Sequence, residues 1–149
     1  MAANPKPPVE PPLVTRLIAS EGGVRLDEES LEAFVAQPGE AALFFTEDPA
    51  RFREVPDVAV ILPELRRAAV REFRIGVLPP PLANANAATY GVRRWPALVF
   101  VRGGEWLGNV EGLRDWSDYL AAVNELLAGP ARPLPARVIP MACAAPSCG

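Results

Sequence analysis

The strongest constraint on the fold is a proline followed by two short apolar segments that a pair of glycines separates. Pro96 precedes the apolar run 97–101, and Gly103 and Gly104 divide that run from the apolar residues around 106–110. Two glycines between apolar runs are the usual signal for the tight turn of a β-hairpin. The segment therefore predicts two adjacent antiparallel strands with Pro96 at their entrance.

The rest of the apolar pattern predicts strands that alternate with helices. The run 41–45 is apolar throughout, as expected for a central strand that is covered on both faces. Apolar residues recur at helical spacing over 58–69, and alternate with other residues over 73–77. A short helix is predicted near the start, from residue 13, and a helical turn over 83–90. The order predicts a mixed sheet with helices on both faces.

Two aspartates stand where helices are predicted to begin. Asp27 precedes a helix that buries Leu31, and Asp115 precedes the final helix, so we predict both as N-caps. The apolar repeat of the final helix begins at Trp116, which we predict on its inner face. Glycine and proline after residue 128 end that helix.

This succession of elements resembles a thioredoxin fold with an extra N-terminal helix and a mixed sheet of four to five strands. The resemblance implies a cis peptide bond before Pro96, and a backbone at Trp95 that contacts an extended peptide. It also places the reactive cysteine pair of thioredoxins near residues 54–58, which here read Glu-Val-Pro-Asp-Val. The chain thus resembles a thioredoxin scaffold without the disulfide chemistry, and we expect no catalysis from it.

Length and composition predict one domain with short extensions. A chain of 149 residues, half of them apolar, supports a single core. Prolines cluster at both ends, so we expect flexible segments at 1–12 and 129–149 and a thioredoxin-like domain over 13–128. No run is long and apolar enough to span a membrane, and no export signal opens the chain, so we expect a cytoplasmic protein without membrane insertion.

The sequence lacks the residues that several kinds of catalytic and binding site require. The chain has no histidine, which removes the commonest general base and the commonest metal-binding nitrogen. Its two cysteines, Cys143 and Cys148, are too few for a cysteine-only zinc site. Neither glycine pair forms a phosphate-binding loop, and the formal net charge of −3 argues against nucleic acid as a partner. We therefore predict no metal and no cofactor.

Two groups of residues are candidate partner-binding sites. Glu47, Asp48, Glu54 and Asp57 form an acidic cluster around the predicted start of a helix, where they could attract a basic peptide. The alternative is a purely structural role for Asp57, whose negative charge favours the helix dipole. The Trp95-Pro96 pair could offer its backbone to an extended segment, and the alternative is that Trp95 only packs beneath the hairpin.

Residues 46–65 and 90–120 resemble one family more closely than thioredoxins in general. They resemble the HyaE, HupG and HoxO family of hydrogenase accessory proteins, and the resemblance spans roughly residues 13–128. It implies a cytoplasmic assembly factor that binds the precursor of a nickel-iron hydrogenase small subunit with its twin-arginine signal peptide. The factor would delay export until maturation is complete. The resemblance leaves open a second maturation factor as a partner.

Two other functions stay open from the sequence. Cys143 and Cys148 could act as a dithiol, which would make the chain a thiol-disulfide oxidoreductase, although a proline-rich tail offers nothing that lowers a thiol pKa. The chain could also be a thioredoxin-like scaffold in another complex. Both alternatives are compatible with the predicted fold.

Overall fold

The computed structural model describes residues 10–137, along which helices and strands alternate. The helices are α1 (Pro12–Ser20), α2 (Glu28–Ala36), α3 (Val55–Ala68), α4 (Pro80–Asn86) and α5 (Trp116–Ala128). The strands are β1 (Val24–Arg25), β2 (Glu40–Phe45), β3 (Arg74–Leu78), β4 (Ala97–Arg102) and β5 (Glu105–Glu111). A short 3-10 helix, Pro135–Arg137, follows α5.

The five strands form one mixed sheet in the order β1-β3-β2-β4-β5. β1, β3 and β2 are parallel, whereas β4 pairs antiparallel with β2 and with β5. Leu43 at the centre of β2 pairs with Gly76 on one side and with Val99 on the other. This arrangement confirms the predicted thioredoxin-like fold with its additional N-terminal helix.

A hydrophobic layer lies on each face of the sheet. On one face α1, α3 and α5 cover Phe44 and Phe100, and Leu62 of α3 is fully buried against them. On the other face α2 and α4 cover Leu43 and its neighbours. Gly76 permits the close approach of α2, because a Cβ atom there would lie 2.8 Å from the Phe34 ring. The continuously apolar sequence of β2 follows from burial on both faces.

The starts of three helices test the predictions made from caps and periodicity. Asp27 caps α2 as predicted, since its carboxylate accepts a hydrogen bond from the Ser30 amide at 2.8 Å. The prediction for Asp115 is wrong in one respect: it occupies the N-cap position of α5, but its side chain makes no capping hydrogen bond. α4 begins at Pro80, ahead of the predicted turn, because a proline is well suited to the first helical position.

The segment predicted to be a flexible tail from residue 129 packs in part against the domain. Arg132 exchanges two backbone hydrogen bonds with Trp106 of β5, at 2.7 and 2.8 Å, and its guanidinium stacks on the Trp106 ring. Leu134 is buried in the layer beneath α2 and α4. At the other end, Pro12 already belongs to α1 and Glu10 pairs with Arg25. Contacts with the domain thus extend beyond residues 13–128 at both ends. Cys143 and Cys148 lie outside the described residues.

Candidate functional site

The candidate site lies where β2 and β3 end and β4 begins, at one end of the sheet. Thr46 follows β2, and both its amide and its hydroxyl donate to the carbonyl of Leu78, at 3.2 and 2.7 Å. The indole nitrogen of Trp95, which precedes β4, donates to the carbonyl of Thr46 at 3.2 Å. Thr46 therefore joins the end of β3 to the entrance of β4.

The Trp95-Pro96 bond is cis, as the thioredoxin resemblance implies. Pro96 is buried, and its carbonyl accepts a hydrogen bond from the Gly112 amide at 2.8 Å. The Trp95 ring is half-buried and packs on Phe52, with ring centroids 6.4 Å apart. Its backbone amide and carbonyl, however, make no hydrogen bond to any residue within 10–137. The ring of Trp95 therefore packs on its neighbours, while its backbone amide and carbonyl stay unpaired within residues 10–137.

The acidic cluster separates into two pairs with different surroundings. Glu47 and Asp48 are half-buried and hold the loop together. Glu47 accepts hydrogen bonds from the Asp48 amide at 2.9 Å and from the Asn84 side chain at 2.6 Å, and Asp48 accepts one from the Ala50 amide. Both carboxylates of this pair therefore make hydrogen bonds within the chain, to the loop itself and to α4.

Glu54 and Asp57 form the second pair, and both are exposed. Glu54 immediately precedes α3 and Asp57 lies in its first turn, yet neither carboxylate contacts a hydrogen-bond donor or a cation among the described residues. The Val55 amide, between the two acidic residues, donates a hydrogen bond to the carbonyl of Phe52. Phe52 is the residue that packs on Trp95. Two unpaired carboxylates thus lie at the start of α3, where a thioredoxin would carry its cysteines.

Arginines border this acidic pair. The Arg51 guanidinium lies over the Phe52 ring, 5.4 Å from its centroid. Arg93 and Arg94, which precede Trp95, are exposed, and the Arg93 amide donates to Glu111 at 3.3 Å. The residues around Phe52 and Trp95 therefore carry exposed charges of both signs.

Two apolar side chains beside Pro96 were not among the predicted site residues. Leu113 is 41% exposed and Trp116 is 44% exposed, and both follow Gly112, which bonds to Pro96. The prediction that Trp116 lies on the inner face of α5 is therefore wrong. Two large exposed apolar residues three positions apart in the chain are candidates for contact with another protein. The sequence did offer a signal for these two side chains, since Leu113 and Trp116 stand three positions apart, just before and at the start of α5.

The described residues carry no cluster that would hold a metal ion and no helix that could cross a bilayer. No group of three or more cysteines, aspartates or glutamates comes together within residues 10–137 in a way that could bind a metal. No helix in that range is both long and apolar enough to span a membrane. The candidate site consists of the Trp95 backbone, two exposed carboxylates and two exposed apolar side chains.

Comparisons with known proteins agree on one family. Residues 13–119 match the family model described as hydrogenase-1 expression protein HyaE. The chain is 37% identical over 147 residues to the hydrogenase expression/formation protein HoxO of Cupriavidus necator, an alignment that covers 97% of this chain and 91% of that protein.

Solved structures support the same fold. The chain is similar to a crystal structure described as the hydrogenase expression/formation protein HupG of Rhodopseudomonas palustris, with 33% identity and a TM-score of 0.50 over 70% of this chain and 95% of that one. A thioredoxin variant from Halobacterium salinarum has a TM-score of 0.53 at 20% identity, covering 74% and 95% of the two chains. The thioredoxin comparison concerns the fold alone.

Proposed function

This chain belongs to the HyaE family of hydrogenase expression proteins, and from that premise we propose that it binds the precursor of a nickel-iron hydrogenase small subunit. It acts in the cytoplasm without catalysis, holds the twin-arginine signal peptide of the precursor, and delays export until maturation is complete. The family match supports an accessory role in hydrogenase formation. The identity of the partner and the way it is bound are our proposal.

The observation that carries this proposal is the unpaired backbone of Trp95. An unpaired amide and carbonyl at the end of a sheet can bind an extended peptide by adding it as a further strand segment. Main-chain hydrogen bonds of this kind supply affinity without selecting a sequence, so side-chain contacts must supply the specificity.

Charge and apolar surface around Trp95 fit such a segment. We define the docking surface as Glu54, Asp57, Trp95, Leu113 and Trp116. A twin-arginine signal peptide carries adjacent positive charges. Glu54 and Asp57 are exposed carboxylates that form no ion pair within residues 10–137. Leu113 and Trp116 offer apolar contact to the part of the segment that follows. Opposite charges would accelerate association and orient the peptide.

Capture of the precursor from a hydrogenase-producing host tests the proposed function. We expect the tagged chain to retain the small-subunit precursor with its signal peptide attached, as identified by mass spectrometry of the retained protein. A precursor variant without the signal peptide should not be retained. Retention of both forms to the same extent would refute the proposed docking, and retention of neither would refute the proposed function.

The oxidoreductase alternative makes an opposite prediction in an enzymatic assay. The residues at the start of α3, where thioredoxins carry reactive cysteines, contain no sulfur. We therefore expect no reduction of insulin above the buffer control when the chain is supplied with thioredoxin reductase and NADPH. Turnover that disappears in Cys143→Ser or Cys148→Ser would contradict a non-catalytic function. A thioredoxin of known activity is the positive control.

A further inference from the structure

A second concave site lies at the same end of the sheet as Trp95, on the other side of Thr46. It is a cavity of about 270 Å³ at the carboxyl ends of the three parallel strands. Arg25 ends β1, Pro79 follows β3 and Thr46 follows β2, and all three line the cavity. Ligands of open α/β sheets bind at this end of parallel strands. Its position alone makes the cavity a candidate binding site.

The walls of the cavity are apolar and rigid. They consist of Val14 together with five prolines: Pro11, Pro49, Pro79, Pro80 and Pro81. Because proline fixes its own backbone dihedral φ, walls made of proline lose little freedom when a ligand enters. The cavity is therefore largely preformed for an apolar group.

Most polar groups at the cavity already have partners within the chain. Arg25 donates to Glu10 at 2.6 and 2.9 Å, and the Thr46 hydroxyl donates to Leu78. The Arg25-Glu10 pair is neutral overall, whereas Glu47 accepts hydrogen bonds and remains a net negative charge at the edge. The cavity therefore favours an apolar group that has a positive charge beside it.

The volume indicates one side chain and not a cofactor. An apolar cavity of roughly 150 Å³ is enough to bind benzene, whereas pockets for drug-sized ligands are roughly 300–1,000 Å³. At about 270 Å³ this cavity accommodates one aromatic or branched aliphatic side chain. An apolar side chain next to a basic one is a common feature of peptides and rare in small metabolites.

The cavity and the Trp95 backbone are close enough for one extended segment to reach both. Thr46 lines the cavity, and its carbonyl accepts the hydrogen bond from the Trp95 indole. In the sheet order, β2 lies between β3 and β4, and neighbouring strands are about 4.8 Å apart. The end of β3 and the start of β4 are therefore two strand spacings apart. Because an extended chain advances about 3.3 Å per residue, two strand spacings correspond to two or three residues.

We propose that the cavity, which we call the proline pocket, receives an apolar side chain of the partner. That side chain lies two or three residues from the residue that pairs with Trp95, and a lysine or arginine beside it faces Glu47. This inference rests on the proposed function, because it specifies the sequence chemistry of the segment that the docking surface holds. A small apolar metabolite is the competing occupant.

Filling the proline pocket tests this inference. Pro81 lines the pocket from the second helical position of α4, where other residues are tolerated, so Pro81→Phe should occupy the space without unfolding the domain. Ala88→Phe, at an exposed position just beyond α4, is the matched control. We expect Pro81→Phe to weaken precursor binding at least about tenfold, since an apolar side chain would lose its burial, and Ala88→Phe to change it less than about twofold.

Titration with N-acetylphenylalanine amide shows whether the pocket accepts an isolated side chain. We expect amide chemical shifts of Arg25, Thr46 and Glu47 to change in the unsubstituted protein and to stay constant in Pro81→Phe. If Pro81→Phe no longer responds to the titration but binds the precursor with unchanged affinity, the inference is overturned and the proposed function stays intact. Failure of the unsubstituted protein to bind precursor would refute both. Loss of binding only after a small apolar compound is removed from the preparation would identify the metabolite as the occupant and also overturn the inference.

Discussion

We expect the double substitution Glu54→Lys and Asp57→Lys to weaken binding of the precursor by between about tenfold and a hundredfold at low ionic strength. Both carboxylates are exposed at the start of α3 and form no ion pair among the described residues. Reversing them replaces attraction for the basic signal peptide by repulsion. Because exposed charges are screened by salt, the loss should shrink as ionic strength rises. Titration at several salt concentrations measures both effects.

The matched control for this pair is Glu28→Lys and Glu29→Lys. These two glutamates are exposed in the first turn of α2, so they stand in the same relation to a helix dipole as Asp57 does to α3. Both double variants should lose a similar and small part of their stability, whereas only the substitutions at α3 should affect the precursor. Equal affinities for the two double variants would contradict a role for Glu54 and Asp57 in docking.

The second large effect concerns stability: Arg102→Ala should lower the free energy of unfolding by about 3 kcal/mol. Arg102, at the end of β4, donates to Glu40 at 2.8 Å and to the carbonyls of Leu127 and Gly129 at 2.7 and 3.1 Å. It thereby ties two strands to the end of α5. Its removal leaves the largely buried Glu40 carboxylate and two helix-end carbonyls without this partner. Urea denaturation measures the loss.

Arg71→Ala is the matched control, because Arg71 also approaches Glu40, at 3.3 Å, but from a side chain that is 58% exposed. We expect it to cost less than about 0.5 kcal/mol, as exposed ion pairs usually do. A cost for Arg102→Ala no larger than that for Arg71→Ala would show that the network does not hold α5 to the sheet.

The same network should make stability depend on pH at the acid side. Burial alone would raise the pKa of Glu40, but the hydrogen bond from Arg102, that from its own backbone amide, and the charges of Arg102 and Arg71 lower the pKa overall. A carboxyl with a lowered folded-state pKa contributes stability above its unfolded pKa and loses it as the pH falls through the folded value. Arg102→Ala should therefore flatten the decline of stability with acid.

The fold could be predicted from the sequence because its signals are local. The apolar run of β2, the two glycines after β4 and the proline before it each indicate their own structure. The packing of Arg132 on Trp106 could not be predicted, since it is a contact between distant segments that no local pattern encodes. The mixed sheet with helices on both faces, in contrast, follows from the order of the predicted elements.

The site could be predicted only in part, because it depends on which neighbours each side chain meets. Four acidic residues looked alike in the sequence. In the structure the Asn84 side chain of α4 donates a hydrogen bond to Glu47, whereas no side chain within the described residues donates to Glu54 or Asp57. The apolar repeat of α5 indicated the type of residue at Trp116 but not whether another element covers that turn. The residues that line the proline pocket come from four separate segments of the chain, so only the folded chain reveals it.

Hydrogen exchange at the Trp95 amide tests the central claim most directly. The claim is that a thioredoxin-like scaffold without reactive cysteines binds an extended segment of a hydrogenase precursor through the backbone at Trp95. In the free protein this amide has no hydrogen-bond acceptor within residues 10–137, so we expect rapid exchange. In complex with the precursor we expect exchange there to slow by at least about tenfold, as a new hydrogen bond would require. Unchanged exchange at Trp95 in a complex that protects other amides would contradict the claim.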